Sequence, residues 1–146
     1  MELNEETIRK IIRKELCEYI KHKAVLNEMA RVGLMGEYDI VVHTDDPGFV
    51  PHFHVIDKAT RGFEFDCCVM LEDNKYFSHG SHQDTLDRTT RDRLYAFMLE
   101  PHRNVHYRNN YEYAVNLWND NNSSSYVQIK EDENGDVIVP DYRHLS

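Results

Sequence analysis

Between Tyr38 and Leu71 apolar residues recur at every second position in short runs, and only brief turn sequences separate those runs. A period of two belongs to strands that bury one face. Breaks this short cannot hold a parallel crossover, which needs about a dozen residues or more, so neighbouring strands must pair antiparallel. The segments are Tyr38 to His43, a turn at Asp45-Asp46-Pro47-Gly48, His52 to Asp57, and a turn from Lys58 to Gly62. Phe63, Phe65, Cys67, Val69 and Leu71 then alternate with Glu64, Asp66, Cys68, Met70 and Glu72, and after Glu72-Asp73-Asn74 a short strand is predicted over Lys75 to Ser78. A meander of about four antiparallel strands is the simplest assembly.

Helical periodicity flanks this region. Asn4 can cap a helix that runs to about Arg31, with Glu5 and Glu6 in its first turn and Ile8, Ile11, Ile12, Leu16, Tyr19 and Ile20 as an apolar stripe. Charge pairs such as Glu6 with Lys10 and Lys14 with Glu18 support it, and Gly33 and Gly36 are expected to end it. So regular a stripe is most simply core, with a partner-binding surface as the other reading. Thr89 followed by Asp92 gives a capping-box-like start to a second helix, which Pro101 stops after Glu100. A third is predicted from about Asn110 to Asn119, burying Ala114, Val115, Leu117 and Trp118. Asp120 to Ser125 reads as a flexible connector, and Tyr126 to Lys130 with Val137 to Val139 as a small hairpin that is either an edge ribbon or poorly ordered. The fold class is therefore α+β in a single domain over 1–146, with an N-terminal helix in 1–33, the meander, two later helices and a C-terminal hairpin in 126–141.

With 26 acidic against 17 basic residues the formal net charge is -9, which disfavours general nucleic-acid binding because phosphate-backbone affinity comes from Lys and Arg. The 3 cysteines, Cys17, Cys67 and Cys68, include an adjacent pair whose side chains diverge on a strand, and they suit a reduced setting. Neither a basic leader with an apolar stretch nor a run of roughly 18 apolar residues is evident, so no membrane role and a cytoplasmic location are expected.

The chemistry-bearing residues cluster around Pro51-His52-Phe53-His54-Val55. Strand alternation sends His52 and His54 to one face and Phe53 and Val55 to the other, where they anchor the core. With His43 on the preceding strand and Asp66 on the following one, His52 and His54 supply the donor types of an open divalent-metal site. The alternative is structural: the two imidazoles hydrogen-bond to turn carbonyls or to Asp45 and Asp46 and fix the hairpin. A third reading uses His52 and His54 as a general acid and base, for example in RNA cleavage. It would want cations for phosphate, and Lys58, Arg61 and Lys75 read as ordinary turn and edge residues. Cys68 can face the histidines, although a small cysteine on a strand is usually packing. His79 and His82 lie in a polar loop without helical framing, and Tyr107, Tyr111 and Tyr113 suit half-buried packing as well as a recognition surface. Gly48, Gly62 and Gly80 are isolated and make no phosphate cradle.

The strand Tyr38 to His43, the Asp/Pro turn, Pro51-His52-Phe53-His54-Val55, the following strand and a late helix containing Asn116-Leu117-Trp118 resemble a family of small bacterial proteins of unknown function. That family is recognised by a Pro-Pro-His-Phe-His core after an Asn/Asp-His/Pro-rich turn; here Val50 stands for the first proline. The family-like core spans 36–119, and the N-terminal helix, the stretch Asn104 to Asn110 and the C-terminal hairpin lie outside its minimal form. The resemblance implies a compact α+β domain connected with toxin-antitoxin-like gene pairs, and no established reaction. Together with the acidic charge it suggests a small intracellular protein-interaction module that binds a protein partner or itself, either toxin-antitoxin-like or a phage or mobile-element accessory acting in bacterial or host cytoplasm. The alternative is a metal-dependent or His acid/base hydrolase, such as a nuclease, centred on His52 and His54.

Overall fold

The computed structural model describes residues 4–27, 29–43, 50–77, 84–122 and 125–146, with side chains of the first helix described as far as residue 16. Among them are α1 (Glu5–Asn27), β1 (Met29–Met35), β2 (Tyr38–His43), β3 (His52–Asp57), β4 (Asp66–Met70), α2 (Arg88–Leu99) and α3 (Asn110–Asn121), followed by a 3-10 turn at Tyr142–His144. The fold is α+β: a 4-stranded antiparallel meander in the order β1-β2-β3-β4, with an N-terminal helix and two later helices. The predicted turn at Asp45 to Gly48, the loop holding His79 and His82, and the side chains of Cys17, Tyr19 and Ile20 lie outside the described residues.

Meander and helices agree with the sequence reading, but the strands are partly different ones. Helix α1 stops at Asn27, and Met29–Met35, predicted as helix end and glycine turn, is the first strand. Pairing with β2 outweighs the weak strand propensity of this segment, and the register slips between Arg31 and Gly33. Gly33 leaves room for α2, because a Cβ there would lie 2.9 Å from the Phe97 ring. Gly36, at φ +61, supplies the left-handed residue of the β1–β2 turn. At the other edge, Lys75 to Phe77 of the predicted fourth strand contribute a single bridge, Tyr76 to Val69, and no strand, while Ser78 lies outside the described residues. The Tyr76 amide is instead bonded to the Ser146 carbonyl at 3.2 Å.

The alternation that suggested a strand from Phe63 begins in register only at Asp66, and Phe63 is 75% exposed. Asp57 explains the delay. Its carboxylate accepts from the Thr60 amide at 2.8 Å, the Gly62 amide at 3.1 Å, the Phe65 amide at 3.2 Å and the Thr60 hydroxyl, winding 58–65 into a loop. Burial pushes this carboxyl up, but the hydrogen bonds from Thr60, Phe65 and Gly62 together outweigh it and hold the pKa below the usual value. Asp57→Ala is therefore expected to cost roughly 1.5–3 kcal/mol, the range for hydrogen bonds to a charged group. A depressed folded pKa gives stability that is present above the unfolded value and lost as pH falls through the folded one. The gap between wild type and variant in urea midpoint should accordingly be full at neutral pH and close below about pH 4. A gap independent of pH would show that charge on Asp57 is irrelevant.

One face of the sheet carries Ile40, Val42, Phe53, Val55, Cys67 and Val69, all fully buried, and packs against Leu94, Phe97 and Met98 of α2 and Ala114, Val115 and Trp118 of α3. Helix α2 begins one residue before Thr89, with Asp87 as N-cap accepting from the Thr90 amide at 2.8 Å. It ends at Glu100, whose extended backbone is what a following proline imposes. Helix α3 continues to Asn121, and the described residues after it are tied down: Asn122 is buried and donates to the Trp118 carbonyl at 3.0 Å, while the Trp118 indole donates to the Ser125 carbonyl at 2.8 Å. The expected C-terminal hairpin is reduced to one bridge between Glu131 and Val137. Arg108 clamps it, reaching Glu131 at 2.9 Å and the Gly135 carbonyl at 3.0 Å.

Candidate functional site

Antiparallel register decides which polar side chains meet on the other face of the sheet. His54 lies opposite Val41 of β2 and Cys68 of β4, and Asp66, two residues before Cys68, shares its side of the strand. His54 Nδ1 is 2.7 Å from Asp66 Oδ1 and 3.3 Å from Cys68 Sγ. Because a carboxylate only accepts, this ring nitrogen carries the proton and donates. His54 is 2% exposed, whereas the Asp66 side chain is 31% exposed, so the cluster reaches the surface through its carboxylate. The Asp66 position is fixed from behind, since its amide donates to Asp84 at 2.9 Å.

The other predicted ligands are near but play different parts. The His43 ring stacks on that of His54, with centroids 4.1 Å apart and planes 27° from parallel. His52 turns its Nδ1 to the Val50 carbonyl at 2.8 Å and sits among Phe77 at 4.6 Å, Trp118 at 5.4 Å and His54 at 5.0 Å. The structural role the sequence offered, bonds to carbonyls of the Asp45 to Gly48 turn or to Asp45 and Asp46, falls on partners outside the described residues; the bond seen is to Val50, after that turn. The structure thus brings His43, His54 and Asp66 together, sets His52 at their flank, and adds Cys68. Sequence reasoning leaned toward packing for Cys68. The pattern Asp66-x-Cys68 on a strand beside that of His54 is the signal that could have placed it with them.

His54, Asp66 and Cys68 are the one group of three or more metal-donor side chains found among the described residues, with donor atoms all within 4.8 Å of one another. Adjacent Cys67 does not join them. It faces Val55 in the core, where burial, aided by the charges of Asp66 and Asp84, pushes its thiol up to about 12. The divergence of the two cysteines is the one their alternation predicts.

A second feature stands apart from the sheet. Asn4 caps α1, accepting from the Thr7 amide at 2.7 Å, and Arg9 reaches back to Glu5 at 2.7 Å. Of the stripe expected to be core, the described side chains are exposed: Ile8 by 43%, Ile11 by 45%, Ile12 by 57% and Leu16 by 54%. By contrast Tyr111 is buried and donates to the Leu71 carbonyl at 2.8 Å. Tyr113 stacks on His102 at 3.8 Å and packs edge-on with Tyr107 at 5.1 Å, so these tyrosines serve packing. No described helix is long and apolar enough to cross a membrane. No protein-family model matches the chain, and neither does any curated protein or any solved structure.

Proposed function

We infer that the chain is a small acidic protein-interaction module that docks through the apolar stripe of α1, and that the occupant of this stripe is a second copy of the chain. The observation that carries the reading is the exposure of Ile8, Ile11, Ile12 and Leu16 along one helix. Several large aliphatic side chains in a row on a surface mark a binding site, whereas single ones do not. Charge favours self-association. Helix α1 holds 6 Lys and Arg against 4 Glu within a chain whose overall charge is -9, so its charge is opposite to that of the remaining residues and complements those of another copy. A two-fold pair would satisfy both copies at once. The toxin-antitoxin-like setting implied by the family resemblance fits a module of this kind, as does the phage or mobile-element accessory role that a small acidic chain allows. A hydrolase centred on His52 and His54 has less support, since an acid/base pair must touch its substrate and these imidazoles are 1% and 2% exposed.

Sedimentation equilibrium tests the reading. The wild-type chain is expected to approach dimer mass as concentration rises and to dissociate with added salt. Ile12→Asp with Leu16→Asp should stay monomeric with an unchanged circular dichroism spectrum. A wild-type chain that remains monomeric throughout the concentration range would overturn it.

A further inference from the structure

The geometry points to a divalent-metal site of mixed nitrogen, oxygen and sulfur donors formed by His54, Asp66 and Cys68, suited to zinc. It does not depend on the docking role of α1, which lies on a different element. Imidazole, carboxylate and thiolate are the three side-chain donors that zinc accepts, and hard cations such as magnesium and calcium avoid sulfur. Zinc bonds of about 2.0–2.3 Å in a tetrahedron put neighbouring donors roughly 3.3–3.7 Å apart. Cys68 Sγ stands 3.3 Å from His54 Nδ1 and 3.9 Å from Nε2, over the ring, so the thiol must swing toward the Nδ1 lone pair to share an ion with it. His54 Nδ1 and Asp66 Oδ1 are 2.7 Å apart, a hydrogen bond that must open by about 0.7 Å to admit an ion. The partly exposed Asp66 can make that movement at the surface while buried His54 stays in place.

Binding therefore exchanges a proton for the ion: as the bond to Asp66 opens, the His54 proton moves from Nδ1 to Nε2 so that Nδ1 can coordinate as neutral imidazole, and the Cys68 thiol releases its proton to solvent. Carboxylate and thiolate then balance the charge of the dication, and neutral imidazole adds none. The three donors among the described residues leave one position of a tetrahedron for a further ligand. The stacked His43 ring lies flat on His54 rather than at its donor edge, so His43 is a positioning residue that holds the imidazole plane.

Cobalt(II) loading of full-length protein, prepared without a metal-affinity tag and stripped with chelator, tests this directly. Tetrahedral visible bands and a near-ultraviolet thiolate-to-cobalt band are expected, both displaced by zinc, with affinity rising with pH. Cys68→Ala should abolish the thiolate band, whereas Cys67→Ala should retain it. Asp66→Ala, checked for an unchanged circular dichroism spectrum, should weaken zinc binding by more than the roughly 10–100-fold typical of losing an outer partner. His43→Ala should weaken it within that range while keeping the thiolate band. Wild-type protein that takes up no cobalt would overturn the proposal. So would a thiolate band that survives Cys68→Ala, because the sulfur would then be Cys17 or Cys67.

Discussion

Ending the chain after Pro140 is expected to remove most of the stability of the domain, although only the last six residues are lost. Tyr142 is fully buried, its ring edge-on to Phe53 at 5.5 Å, and its hydroxyl donates to the Leu71 carbonyl at 3.1 Å. Leu145 is buried as well, Asn74 donates to the His144 carbonyl at 3.3 Å, and Ser146 bonds through its backbone to Asn74 and Tyr76. Deleting one large buried aromatic side chain costs about 3–5 kcal/mol, and whole domains are stable by only about 5–15. Urea unfolding followed by near-ultraviolet dichroism should thus show a collapsed midpoint and early proteolysis. Tyr142→Phe isolates the hydroxyl. The Leu71 carbonyl keeps its 2.8 Å bond from Tyr111, so the loss should be only about 1 kcal/mol. A truncated chain that unfolds at the wild-type midpoint would show that the tail merely lies on the surface.

Trp118→Ala should be comparably severe, at about 3–5 kcal/mol. The indole is fully buried, joins α3 to the start of β3 through its 5.4 Å contact with His52, and holds Ser125 at 2.8 Å. Its removal leaves a cavity and deprives the Ser125 carbonyl of a donor. Trp118→Phe keeps much of the volume but not the N–H, and should lose less. Because Trp118 is the only tryptophan, wild-type fluorescence should emit in the blue-shifted range of a dry site, while the variants must be followed by dichroism. Equal stability of Trp118→Ala and wild type would mean that α3 is held without it.

Segments bounded by clear turn or cap residues were legible before any coordinates. Tyr38–His43 and His52–Asp57 are strands at those bounds, although both of their faces are buried, and α2 and α3 start within a residue or so of their caps. The failures share a cause, which is control by contacts distant in the chain. Met29–Met35 has one β-branched residue, Val32, and becomes a strand because β2 lies beside it. Lys75 to Ser78 has strand-like residues, yet Tyr76 takes a partner 70 residues away at Ser146. Phe63 continues the alternation of β4, but Asp57 gathers the amides around it into a loop. At the site, alternation was enough to place His54, Asp66 and Cys68 on one face. Which nitrogen of His54 faces the other two, and that His52 turns to Val50, required the pairing register and the packing of Phe77 and Trp118.

The attachment of Tyr142 to Leu71 and Met70 also sets a schedule for biosynthesis. A meander of neighbouring strands can begin to form while the ribosome is still working, since each pairing is local. Its apolar face, however, stays open beside Phe53 until residue 142 has left the exit tunnel. During that interval the nascent domain exposes unsealed core, and a stall in translation before this point would release a chain prone to capture by chaperones or to aggregation.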